Sequence, residues 1–97
     1  MTAYVIAAET VKDDAMFDEY RKQVPATLAP FGGKFIVRGG KVTVQEGEWP
    51  HPRTVVIEFP SLAQALAAHE TPGYQDALRK LGKGDVDRDM RVVEGPE

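Results

Sequence analysis

The sequence contains no cysteine, which excludes a disulfide framework and any thiolate metal centre. It has no long apolar run either: nothing approaches the ~20 residues that cross a bilayer. The opening "MTAYVIAAE" lacks the basic leader and cleavage site of a secretory signal, so a cytoplasmic location is expected, with no membrane partner. Lys and Arg are never clustered. The 12 basic and 15 acidic residues are mixed along the chain for a net charge of -3, which leaves no row of cations for phosphates and makes nucleic acid an unexpected partner. "GKG" at 82–84 has too few glycines and no lysine-hydroxyl pair for a phosphate-cradling loop, and reads as a linker. No nucleophile elbow and no Ser-His-Asp arrangement can be read. What remains is the composition of a folded protein, 42% hydrophobic and 28% charged. Its 97 residues suffice for one core, hence a single domain over 1–97.

"AYVIAA" (3–8) is a short apolar run suited to a strand. The period then changes: Phe17, Tyr20, Val24, Leu28 and Phe31 recur at helical spacing, and Asp13 or Asp14 can cap the free amides before them. Pro25 falls inside this helix, where it removes an amide donor and predicts a kink or a restart. Gly32 suits a left-handed cap at the end. "KFIVRGG" (34–40) and "KVTVQEG" (41–47) alternate as strands; Gly39-Gly40 between them allows a tight hairpin or a kink in one long strand, and the kink is preferred. "EWPHP" is a loop and "RTVVIEF" (53–59) a strand. Ser61 with Gln64 forms a capping box ahead of a second helix, which "TPG" (71–73) interrupts before Tyr74, Ala77, Leu78 and Leu81 resume the period. "GKGDVDRD" reads as a polar connection to a last strand, "MRVVEG".

The order β-α-β-β-α-β is the split βαβ plan, a four-stranded antiparallel sheet with two helices on one face. Alternation assigns Phe35, Val37, Val55, Ile57, Phe59, Met90 and Val92 to the helix side. The other side holds Ile36, Val56 and Val93 together with Lys34, Arg38, Thr54, Glu58 and Arg91, and the first strand is apolar on both faces. An open sheet should be polar on its outer side. About six apolar side chains at roughly 1.5 to 3 kcal/mol each rival the whole stability of a small domain, about 5 to 15 kcal/mol, so this face should be covered. The chain has no spare element for it, which makes a second copy of the sheet the expected partner, as a homodimer.

Taken in order and at their separations, "FGGKFIVRGG", "EGEW", "VVIEFPS", "TPGYQ" and "VVEG" make a sequence that resembles the domain of unknown function 1330 family of small bacterial proteins, over nearly the whole chain. The resemblance implies a dimeric α+β barrel, in which two ferredoxin-like sheets pack face to face, and supplies no activity. Related superfamily members include cofactor-independent monooxygenases, dehydratases and isomerases with a pocket between sheet and helices, an analogy of fold rather than chemistry. The chain departs from the family pattern at Ala68 and His69, where bulky aromatics are expected. A pocket wall there should differ.

Two kinds of function follow. One is a cofactor-free binding protein or enzyme-like homodimer acting on a small, partly apolar molecule; the alternative is a non-catalytic binding or structural dimerisation module. For the first, His69 and Glu58 are the candidate catalytic groups, because each could move a proton. Arg38, Tyr20, Tyr74 and Trp49 are the candidate substrate-binding groups. Each has a plainer reading: His69 as a hydrogen-bonded helix-end histidine, the tyrosines as core, Trp49 as cover for a core edge or a partner. His51, among prolines, could gate the pocket but reads as an exposed loop residue. With Glu46 and Glu48 the histidines lack metal-site spacing, so neither metal nor cofactor is expected. Glu58, a carboxylate inside an apolar strand, should be paired, with Arg38 the first choice of partner. An enclosed pocket beside His69 would favour the first kind of function, a filled space the second.

Overall fold

The computed structural model describes residues 2–81 and 85–96; the expected linker 82–84 lies outside them. The strands are β1 (Ala3–Val11), β2 (Lys34–Gly40), β3 (Arg53–Phe59) and β4 (Val86–Glu94), and the helices are α1 (Asp14–Leu28), α2 (Leu62–His69) and α3 (Pro72–Arg79). The strands form one antiparallel sheet in the order β2-β3-β1-β4, which is the expected topology. The second helix of the plan is in fact two. Thr71 ends one and caps the next by accepting from the Tyr74 amide at 3.2 Å, and Pro72 sits in the first turn, where its missing donor is harmless.

Local chemistry sets the other boundaries. Asp13 caps α1 through the Met16 amide at 3.1 Å, Ser61 caps α2 through the Gln64 amide at 3.2 Å, and Gly32 takes the left-handed conformation (φ 80°) that closes the turn after α1. Pro25 does not restart α1, which runs unbroken to Leu28. Proline leaves the carbonyl four residues back without its helical donor; here that is the Arg21 carbonyl, and Arg38 donates to it from β2 at 3.1 Å.

Two expectations for the β2 region are corrected. The ladder to β3 is irregular between Phe35 and Val37 and again between Arg38 and Gly40. The first β-bulge shifts the alternation, so Val37 pairs with Val56 on the outer side and Arg38 with Val55 on the helix side, the reverse of the simple reading. The strand then ends at Gly40, and 41–52 is a loop, neither hairpin nor kinked strand. Gly39 explains the break. It has φ 76°, and a Cβ there would lie 2.0 Å from Arg53 Nη1.

The core lies between the sheet and all three helices: Ala3, Val5, Ala7, Val55, Ile57 and Phe59 meet Phe17, Tyr20, Val24, Leu28, Ala65, Tyr74 and Ala77. On the other face Ile36, Val37 and Val93 are 46%, 40% and 46% exposed. No described helix covers them, and none of the described helices is long and apolar enough to cross a membrane.

Candidate functional site

The sheet separates the two catalytic candidates. Glu58 is half-buried on the outer face, between Tyr4 of β1 and Lys34 of β2 in register, whereas His69 ends α2 on the helix side. They cannot share a pocket within one protomer. The expected pairing of Glu58 with Arg38 is also overturned, because the bulge turns Arg38 through to the helix side, where its guanidinium lies 4.4 Å from the centre of the Phe35 ring and bonds the Arg21 carbonyl. Among the described residues Glu58 forms no ion pair, although Lys34 is its register neighbour. Trp49 is 47% exposed. His51 is corrected in the other direction. It is buried at 8% exposure, with Nδ1 2.9 Å from Thr10 Oγ1 and Nε2 3.1 Å from Asp89 Oδ2. The imidazole thereby fastens the loop before β3 to β1 and β4.

The remaining candidates converge between sheet and helices. Tyr20 on α1 and Tyr74 on α3 meet hydroxyl to hydroxyl at 2.8 Å, with their rings edge to face. The His69 ring leans on Tyr74 at 5.0 Å between centroids, and its side chain is 44% exposed. Beside them is a cluster that the sequence reading missed. Glu9, only 2% exposed, is the register neighbour of Arg53 on β3 and of Arg88 on β4. Three adjacent strands thus set one carboxylate between two guanidiniums: Glu9 accepts from Arg53 Nε at 3.2 Å and from Arg88 Nη1 at 3.3 Å. Arg88 Nη1 also donates to Tyr20 Oη at 3.0 Å.

Electrostatics fixes the protonation of this group. Burial, reinforced by the neighbouring Tyr20, pushes the Tyr74 phenol well above the ordinary tyrosine value, so at neutral pH it is an uncharged donor. Burial works against the charge of Arg88, but the two phenols and Glu9 outweigh it and raise the guanidinium further, leaving Arg88 a permanent cation.

Two cavities flank the tyrosine pair. The larger, about 260 Å³, is walled by apolar side chains of β1, β3, β4 and α2, with His69, Glu70 and Tyr74 as its polar members. The smaller, about 40 Å³, lies against Glu9, Tyr20, Arg38, Arg53 and Arg88. Tyr74, Ile57 and Met90 belong to both. Leu66, another lining residue of the larger cavity, is 49% exposed. Its wall includes His69 and the small Ala65.

Residues 2–96 match the family described as "Domain of unknown function (DUF1330)". Among solved structures the chain is similar to a protein of unknown function from Rhodopseudomonas palustris, at 13% identity and TM-score 0.77 over 99% of this chain and 83% of that one. It is also similar to SnoaB, a cofactor-independent oxygenase from Streptomyces nogalater, at 13% identity and TM-score 0.68 over 99% of this chain and 94% of that one. A dimeric protein of unknown function and ferredoxin-like fold from Bacteroides fragilis matches at 14% identity and TM-score 0.63, over 97% and 96% of the two chains. No curated protein matches. These likenesses establish the ferredoxin-like fold.

Proposed function

The chain belongs to the DUF1330 family, and from its sheet and cavity we propose that it is a homodimer holding a small, largely apolar molecule between the sheet and α2, as an enzyme-like rather than a purely structural protein. The observation that carries this reading is the cavity of about 260 Å³ beside His69 and Tyr74. An apolar cavity of about 150 Å³ already accepts benzene, so this one has room for two fused rings. His69 at the rim is the group able to exchange a proton with a bound molecule, and Tyr74 the group able to bond it. Arg38, in the smaller cavity, is left with a supporting part, and Glu58 and Trp49 stand outside this pocket. Dimerisation is supported by the outer face, where Ile36, Val37 and Val93 are exposed around half-buried Tyr4, Ile6 and Val56. A face that matches itself is the simplest cover, and the similar Bacteroides fragilis protein is described as dimeric.

Native mass spectrometry of protein taken directly from cells tests both parts. It should report twice 10.7 kDa plus the mass of a retained small molecule. Val56→Asp, which sets like charges into the contact, should give monomer or aggregate, and Val92→Phe, which puts a ring into the cavity, should abolish the adduct. A stable wild-type monomer, or an adduct that persists in Val92→Phe, overturns the corresponding part.

A further inference from the structure

Positive charge collects around the smaller cavity, although the chain as a whole carries -3. Arg38 of β2, Arg53 of β3, Arg88 of β4 and Arg21 of α1 all line it, and Glu9 is the one carboxylate among its described lining residues. Glu9 is already shared between Arg53 and Arg88, and Arg21 pairs with Asp18 at 3.1 Å. Arg38 has no carboxylate partner among the described residues. Guanidiniums keep their protons, so Glu9 set once against Arg38, Arg53 and Arg88 leaves two positive charges uncompensated. The side chains of Arg53 and Arg88 are only 21% and 14% exposed. Excess charge held this far from water calls for a counter-charge.

The guanidinium heads are also fixed in place. That of Arg38 rests on the Phe35 ring at 4.4 Å and donates from Nη2 to the Arg21 carbonyl at 3.1 Å. That of Arg53 rests on the Phe17 ring at 5.2 Å and fills the space that a Cβ on Gly39 would take. Both heads therefore lie against α1, at residues one helical turn apart. Each has donors to spare: a guanidinium carries five N–H groups, yet only Nη2 of Arg38 and Nε of Arg53 have a protein acceptor among the described residues. No partnerless nitrogen of Arg53 is sealed from solvent, so its two Nη groups face accessible space. The cavity measures about 40 Å³. At roughly 10 to 15 Å³ for each water-sized occupant, it suits the three non-hydrogen atoms of a carboxylate and is small for the five of a phosphate. Arg21 and Arg38, with Lys22, also wall a neighbouring depression of about 330 Å³.

We propose that the smaller cavity is an anion site that takes the carboxylate of a small organic acid between Arg38 and Arg53, with Arg21 and Lys22 adding attraction at its approach. A planar head with two oxygens matches the fork of a guanidinium, which bonds it through two parallel N–H groups. The site does not depend on what the larger cavity holds.

The test titrates acetate into ¹⁵N-labelled protein at constant ionic strength, with chloride as the balancing ion, and follows the arginine Nε–H resonances. Acetate should shift the Arg38 and Arg53 signals along a saturating curve. Acetamide, which has the shape without the charge, should leave them in place, and phosphate should bind more weakly than acetate. Arg38→Met removes no ion pair and should weaken acetate about tenfold, the worth of one charge-assisted hydrogen bond. Should that variant fail to fold, Arg38→Lys, which keeps the charge but not the fork, carries the test with a severalfold loss expected. Shifts no larger than chloride alone produces, acetamide acting as acetate does, or an acetate affinity unchanged by substitution of Arg38 overturns the site. Phosphate binding more tightly than acetate overturns its assignment to a carboxylate.

Discussion

Glu9→Gln is the sharpest perturbation of the buried cluster. The wild-type carboxylate is 3% exposed, against side chains of Arg53 and Arg88 that are 21% and 14% exposed. The substitution keeps the shape, removes the negative charge and leaves two poorly solvated cations side by side. Breaking one buried pair by removing a partner costs about 3 to 5 kcal/mol. The glutamine oxygen still accepts from one arginine and Arg88 keeps Tyr20, which lowers the expectation to about 2 to 4 kcal/mol. A small domain has about 5 to 15 kcal/mol in all. At about 4 to 8 °C per kcal/mol for a chain of this size, Tm should fall by ~10 °C or more, measured at one fixed protein concentration because a dimer's Tm depends on it. Urea unfolding should show a lower midpoint with an unchanged slope. The companion variant replaces the whole cluster, Glu9→Leu with Arg53→Met and Arg88→Met, and should be more stable than Glu9→Gln, since charges removed together leave nothing unpaired. A loss from Glu9→Gln within about 0.5 kcal/mol, as at an ordinary surface position, would refute the reasoning.

Two further predictions concern single groups. Arg38→Met should cost about 1 kcal/mol in the wild-type background by orphaning the Arg21 carbonyl, and close to nothing beside Pro25→Ala, which restores the helical amide donor; a thermodynamic cycle showing no coupling would dismiss the link between these residues. For Tyr74, the unfolded phenol ionises near pH 10 while the buried one, raised above that value, keeps its proton. Unfolding thus releases a proton above about pH 10, and stability present below that pH is lost as pH rises further. Tyr74→Phe should flatten this alkaline loss, and absorbance at 295 nm should show one tyrosine resisting ionisation until the protein unfolds.

The order of elements was legible because each apolar segment carries its own period and stops: Asp13, Gly32, Ser61 and Thr71 all cap as their chemistry directs. The β2 bulge was not, because a bulge inserts one residue without a composition signal, and one inserted residue exchanges the faces of Val37 and Arg38. The charged cluster was hidden by a different rule. Glu9 and Arg88 lie where polarity suggested that strands had ended, so β1 was cut at Ala8 and β4 begun at Met90, yet the strands run to Val11 and from Val86. Alternation did hold the signal. Ala3, Val5, Ala7 and Glu9 share one parity, as do Arg88, Met90 and Val92, and Arg53, Val55 and Ile57, so extending β1 and β4 by one pleat each puts all three charges together under the helices. Glu58, the charge that stood out against its apolar neighbours, occupies the outer face instead. A charge at the end of an apolar parity series was the better pointer to the site than a charge inside an apolar run.

That placement bears on why the cluster exists. A buried ion triad of this kind contributes little to stability compared with apolar side chains of the same volume, and the surrounding core already holds Phe17, Tyr20, Val55 and Ile57. Its distinctive product is geometric. Arg53 lies 5.2 Å from the centre of the Phe17 ring and Arg88 5.4 Å from that of Tyr20, so Glu9 ties three strands to two aromatic rings of α1. With Arg88 fixed, the Tyr20 oxygen has one lone pair occupied and is held against the Tyr74 hydroxyl. An apolar replacement of the triad would keep the helix packed but free both phenols to rotate. The cluster therefore fixes where the Tyr20 hydroxyl sits between α1 and α3.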